Sequence, residues 1–197
     1  MCEHFEHIDT KTKFVVLMHP KEFKKVKNNT GHFTHKSLDN SELFIGIDFS
    51  EHKRINEIIK SHDSYILFPS SKAINLSSKS VKSGEKPLAI FLIDSTWACT
   101  KKMFTQSRNL NTLKHLSFTT TKTSRYEIKE QPQENYLSTI ESTLVVLELL
   151  NKWDIEQIKE SQLEGFLRPF DVMIAYQKNL IENPSTCAVR FKKHTAK

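Results

Sequence analysis

Glycine is scarce: the 197-residue chain has 4, Gly31, Gly46, Gly84 and Gly165. Loops that cradle phosphate on bare backbone need glycines close together. The sequence has no GxGxxG, no GxxxxGK[ST] and no GxSxG. An ordinary dinucleotide enzyme, a P-loop enzyme and a nucleophile-elbow hydrolase are therefore excluded. Cysteine is scarce too, with Cys2, Cys99 and Cys187 far apart and odd in number. That pattern implies no disulfide framework and fits a reducing, cytoplasmic setting. Long apolar runs are missing: the longest have about seven residues, against the roughly 20 that span a bilayer. The opening "MCEHFEHIDTK" carries acids and is not a signal peptide. Cys2, His4 and His7 lack the second pair that a zinc motif requires, so no metal is expected.

What is present is ordinary for a soluble globular protein, at 38% hydrophobic and 26% charged. The net charge of +6 favours a polyanionic partner such as nucleic acid.

Apolar runs and helical periodicity alternate along the chain. Residues 13–18 (KFVVLM), 42–49 (ELFIGIDF), 65–71 (YILFPSS) and 88–93 (LAIFLI) read as strands. Residues 51–62 and 97–108 read as helices, and Asn29-Thr30-Gly31 as a turn. This order predicts an α/β fold with a mainly parallel sheet. Residues 117–136 read as a short strand or extended loop with a turn at Pro132. Residues 138–153 form a helix with Ile140, Leu144, Leu147 and Leu150 on one face. Asp154 is placed to cap a short helix ending near Gly165, and Pro169 opens a last helix that Asn183-Pro184 stops. No repeat and no second-domain linker is visible. The expected organisation is one domain over 1–197: a motif-bearing part over 13–150, helices over 151–183 and a basic tail over 184–197.

Several positions carry two readings. Asp94 ends an apolar strand, where parallel sheets bind ligands, or it caps the helix that follows. Ser138 and Glu141 have capping-box spacing, or they mark a helix N-terminus that receives an anionic group. Lys21, Lys24, Lys25 and Lys27 suit phosphate contacts or a solvated helix face. Trp97 is a core anchor or a base-stacking ring. His19 bonds a backbone group or serves a site.

The ordered segments "VVLMHPKEFKKVKNNTGH", "ILFPSS", "LIDSTWACTKKM", "TSRYEIKEQP" and "LSTIES" together resemble the DTW-domain family. Its members are tRNA-uridine aminocarboxypropyltransferases, related in fold to the SPOUT class with its knotted α/β sheet. The resemblance implies transfer of the 3-amino-3-carboxypropyl group of S-adenosylmethionine to N3 of a tRNA uridine, leaving methylthioadenosine. It implies S-adenosylmethionine as co-substrate, tRNA as partner, and no metal, because the leaving group is a neutral thioether. Asp94 becomes the candidate base, or the group that holds the substrate amine. Leu67, Phe68, Pro69, Thr96, Trp97, Ser138, Thr139 and Glu141 become cofactor-site residues, with Glu141 placed to bind the methionine ammonium. His19, Lys21, Lys24, Lys25, Lys27, Asn29, Thr30, Lys101, Arg125 and Tyr126 become RNA contacts. Ser95 and Ser142 stand where glycine and alanine are common in the family, and Lys129 where arginine is usual. Of the N-terminal cysteine cluster that many members carry, only Cys2 is present. A SPOUT-like RNA methyltransferase and a non-catalytic RNA-binding module are the competing readings.

Overall fold

The computed structural model describes residues 4–25, 29–81, 84–126 and 136–183. Cys2, Lys27, Lys129, Pro132 and the basic tail lie outside the described residues.

The sheet grows from the four apolar runs. β1 is Lys13–Met18, β2 Ser41–Ile45, β3 Asp63–Leu67 and β5 Leu88–Asp94. Two more strands complete it: β4, Ile74–Asn75, which was not expected, and β6, Lys114–Ser117. The order is β2-β1-β5-β3-β6-β4, and every pairing is parallel. Side chains alternate across this sheet. Phe14, Val16, Ile90 and Leu92 enter one core cluster. Val15, Leu17, Ala89 and Phe91 enter the other. Burial on both faces explains why β1 and β5 read as unbroken apolar runs.

Helices cover the two faces. The first cluster is closed by α2 (Thr30–Ser37), α5 (Thr139–Lys152) and α7 (Arg168–Glu182), which contribute Phe33, Val146, Leu147 and Phe170. The second is closed by α3 (Lys53–Ser61) and α4 (Trp97–Gln106), which contribute Ile55, Ile58 and Met103. Two short helices, α1 (Pro20–Lys25) and α6 (Glu160–Gly165), complete the set. The C-terminal segment is tied to the start of the sheet: buried Glu156 accepts the backbone N–H groups of Lys11 at 3.0 Å and Thr12 at 2.6 Å. Among the described residues, no helix is long and apolar enough to cross a membrane.

Several expectations need correction. Asn29-Thr30-Gly31 is the start of α2, not a turn, because the Asn29 side chain accepts the His32 N–H at 2.9 Å and caps the helix. The second strand ends at Ile45: the Gly46 N–H makes the last bond to β1, at Met18 O, and Phe49 drops into the second core cluster. The third strand ends at Leu67, ahead of Pro69. Asp154 caps nothing downstream: its φ is 56°, and its N–H bonds Asn151 O as α5 unwinds. Lys159 is the N-cap of α6 instead. Nor does Asp94 cap α4, for it is the last residue of β5, and Thr96 is the N-cap. In the Thr-rich stretch the strand starts earlier than expected, at Lys114, and stops at Ser117.

Candidate active site

A cleft of about 760 Å³ opens beyond the carboxyl ends of β3, β5 and β6. Its size is that of a small-molecule site, for which roughly 300–1,000 Å³ is usual. Its position is that expected in an open parallel sheet.

Asp94 lines it and is only 5% exposed. Two helices begin beside it. Thr139, first residue of α5, donates its hydroxyl to Asp94 Oδ1 at 2.7 Å. Thr30, first residue of α2, donates to the same oxygen at 3.4 Å. The positive ends of both helix dipoles thus meet the carboxylate. Gly31 lets α2 come this close: a Cβ there would sit 2.5 Å from Asp94 Oδ2. The backbone adds a third tie, the His19 N–H bonding Asp94 O at 3.1 Å. Register explains it, since Met18 lies opposite Asp94 and both strands end together.

One wall of the cleft is aromatic. Trp97 is 38% exposed and lies 5.0 Å from Tyr136 between ring centroids and 6.4 Å from Phe68. Phe68 in turn stacks on Phe104 at 5.0 Å. Leu67 at the end of β3, with Phe68 and Pro69 after it, enters the lining, as do Leu116 and Ser117 at the end of β6 with Phe118, Thr119 and Thr120 after them. Ser138 and Thr139 supply the start of α5, and Tyr126 reaches in from the preceding loop.

Glu141 is different. It is 5% exposed and does not line the cleft. The expected capping box forms, with the Ser138 N–H bonding Glu141 Oε2 at 2.8 Å. Ser138 Oγ and Ser124 Oγ also donate to it, at 2.6 and 2.9 Å, and the Arg125 N–H at 2.7 Å. The carboxylate thus takes four protein donors, three on Oε2 and one on Oε1. It clips the loop carrying Tyr126 to the start of α5.

The expected RNA contacts separate into classes. His19, Asn29 and Thr30 are buried, and the last two line the cleft. His19 Nδ1 accepts the Lys21 N–H at 3.1 Å, and Asn29 Nδ2 donates to Met18 Sδ at 3.4 Å. Burial first, and then the Lys21 charge, lower the pKa of His19. Burial, then Glu22 and Asp94, raise that of Tyr126, which keeps its proton at neutral pH. Lys21, Lys24, Lys101 and Arg125 are exposed, and Arg125 pairs with Asp171 at 2.9 Å. Lys25 ends α1.

Sequence reasoning missed Glu22, Tyr136 and the 116–120 segment, all in the lining. Glu22 was visible in "HPKE" but was masked by the lysines around it. Among the described residues no group of three His, Cys, Asp or Glu side chains is placed to hold a metal ion.

The family model of the DTW domain matches residues 1–178 of the chain. The chain belongs to the DTW-domain family. Its D-x-T-W signature is Asp94, Thr96 and Trp97, all three on the cleft. Among curated proteins it is 29% identical over 169 residues to tRNA-uridine aminocarboxypropyltransferase 2 of Macaca fascicularis, covering 84% of this chain and 55% of that one. It is 32% identical over 141 residues to the Mus musculus protein of the same name, covering 71% and 45%. It is 26% identical over 171 residues to that of Drosophila melanogaster, covering 84% and 64%. The DTW chain described here therefore spans between about half and two thirds of the length of these relatives. No solved structure matches it. The family's separate sequence segments meet at one place in the fold. Glu22 of "HPKE", Asn29 and Thr30 of "NNTG", Leu67 to Pro69, Asp94 to Trp97, Tyr126 of "SRY", and Ser138 and Thr139 of "STIE" all line the same cleft.

Proposed function

We propose that this protein is a tRNA-uridine aminocarboxypropyltransferase. It moves the 3-amino-3-carboxypropyl group of S-adenosylmethionine to N3 of a tRNA uridine and releases methylthioadenosine. One observation carries the reading beyond the family. In a chain of net charge +6, the cleft is lined by two carboxylates, Asp94 and Glu22, and among the described residues by no lysine, arginine or histidine. That lining repels phosphate and suits a cationic ligand. S-adenosylmethionine carries a sulfonium and an ammonium against a single carboxylate.

When bound, the sulfonium activates each carbon attached to it. The protein's part is to choose which carbon the uridine meets, which is a matter of orientation. The aromatic wall of Phe68, Trp97 and Tyr136 offers stacking for a nucleobase. The start of α5, with Ser138 and Thr139 on the cleft, suits the methionine carboxylate. Asp94, held in one orientation by Thr30 and Thr139, is assigned the N3 proton. The exposed Lys21, Lys24 and Lys101 are assigned to the tRNA backbone. The C-terminal helices share the first core cluster, which supports reading the chain as a single domain; a SPOUT-like, knotted sheet is what the family resemblance implies.

The test is the by-product. Unmodified tRNA, S-adenosylmethionine and the protein are incubated, and the adenosine thioethers are separated by chromatography. Methylthioadenosine is expected in proportion to tRNA modified. S-adenosylhomocysteine in its place overturns the reading.

A further inference from the structure

The proposed donor carries an α-ammonium, and the carboxylate that the sequence offered for it, Glu141, already takes four protein donors. An ammonium brings three N–H donors and needs an acceptor with lone pairs to spare. Of the two acids on the cleft, Asp94 already takes the hydroxyls of Thr30 and Thr139 on Oδ1. Glu22 is the other. It is half-buried in the first turn of α1, and no side-chain hydrogen bond or ion pair to its carboxylate is made among the described residues.

Its position is fixed from the backbone. His19 N–H bonds Asp94 O at 3.1 Å, and Glu22 N–H bonds His19 O at 2.9 Å. The first turn of α1 therefore hangs directly from the end of β5, and the two carboxylates face one cleft from adjacent elements. Tyr126 registers both, its phenol being pushed up by Glu22 and Asp94 after burial. Lys21 and Lys24, neighbours in sequence, are exposed and are not part of the lining. A carboxylate without a donor among the described residues, beside one whose Oδ1 holds two hydroxyls, is an arrangement that a cationic ligand completes.

We infer that Glu22 is the residue that binds the α-ammonium of the donor's methionine chain. The assignment rests on the proposed function and deepens it. It leaves Asp94 to the proton, and it makes Glu22 the residue that separates substrate from product. Methylthioadenosine lacks the ammonium, so the contact that holds the donor is gone once the group has moved.

Equilibrium binding by calorimetry tests this without tRNA and without turnover. S-adenosylmethionine, S-adenosylhomocysteine and methylthioadenosine are titrated into wild type, Glu22→Gln and Glu22→Asp, with circular dichroism as the check on folding. Only the first two ligands carry the ammonium, and only the first carries the sulfonium. Glu22→Gln is expected to weaken both ammonium ligands by about ten- to a hundredfold, the usual size for a charge-assisted bond. Methylthioadenosine is expected to bind unchanged, and Glu22→Asp to recover part of the loss. Three outcomes overturn the assignment: unchanged binding of both ammonium ligands, a loss confined to S-adenosylmethionine, or an equal loss for all three. Wild type that binds none of them overturns the proposed function itself.

Discussion

Thr139 Oγ1 donates to Asp94 Oδ1 at 2.7 Å, across 45 positions of sequence. This bond joins the end of the central strand β5 to the start of α5. It also aims the carboxylate that the proposed chemistry uses. Asp94→Asn is expected to keep the fold and lower turnover by orders of magnitude. Thr139→Val removes one hydroxyl–carboxylate bond, a contact worth about 1.5–3 kcal/mol. Its kcat is expected to fall by roughly ten- to a hundredfold. Steady-state kinetics on both variants checks this, and an unaffected Asp94→Asn enzyme contradicts the assignment.

Gly31 tests the same geometry from the other side. A methyl group there meets Asp94 Oδ2 at 2.5 Å, so the carboxylate or the α2 helix must move. Gly31→Ala is expected to lose most activity and to lower the melting temperature. Full activity would mean that the close approach of α2 to Asp94 is dispensable.

How much of this was legible in the sequence differs by element. β1 and β5 were plain because both faces are buried, so Phe14 to Met18 and Ala89 to Leu92 had no polar interruption. α5 was plain because an apolar stripe and a capping box agree. α2 was read as a turn because Asn29-Thr30-Gly31 has turn chemistry, and only its packing against Asp94 shows why glycine stands inside a helix. The start of β6 was hidden by its polar residues Lys114 and His115, and β4 by having 2 residues. Asp94, Thr96, Trp97, Ser138 and Thr139 were found from motifs. Glu22 was not, because its role depends on where β1 ends beside β5, a register that no local pattern encodes.

Glu141 is expected to matter for stability and for order in the 124–126 loop, more than for donor binding. Glu141→Ala leaves the part-buried N–H groups of Ser138 and Arg125 without their acceptor. A cost of about 2–4 kcal/mol is expected, since several charge-assisted bonds are lost together. Denaturant unfolding measures the cost. Faster hydrogen exchange at Arg125 and Tyr126 would locate it. Unchanged exchange there would contradict the clip.

Glu42 sets an acid-side dependence of stability. Arg54 donates to it through Nε at 3.0 Å and Nη2 at 2.8 Å, and Lys13 lies at 3.1 Å. The Arg54 hydrogen bonds, with help from Lys13, hold its pKa at about 2 against an ordinary 4.5. Because the folded-state value is the lower one, the stabilisation is complete above the ordinary pKa and is lost as pH falls toward about 2. The pair is partly exposed, so the contribution is small, about 1 kcal/mol or less. Urea unfolding of wild type and Glu42→Gln is expected to show a gap at neutral pH that closes below about 4.5. A gap independent of pH would contradict the ion pair.

The most direct test follows the atoms. Two preparations of S-adenosylmethionine are used, one labelled in the methionine chain carbons and one in the methyl carbon. Each is incubated with the protein and unmodified tRNA, and the digested nucleosides are weighed by mass spectrometry. The account predicts that chain label appears in a uridine heavier by one 3-amino-3-carboxypropyl group, while methyl label stays with methylthioadenosine. Methyl label in the tRNA, with chain label left in S-adenosylhomocysteine, would contradict it.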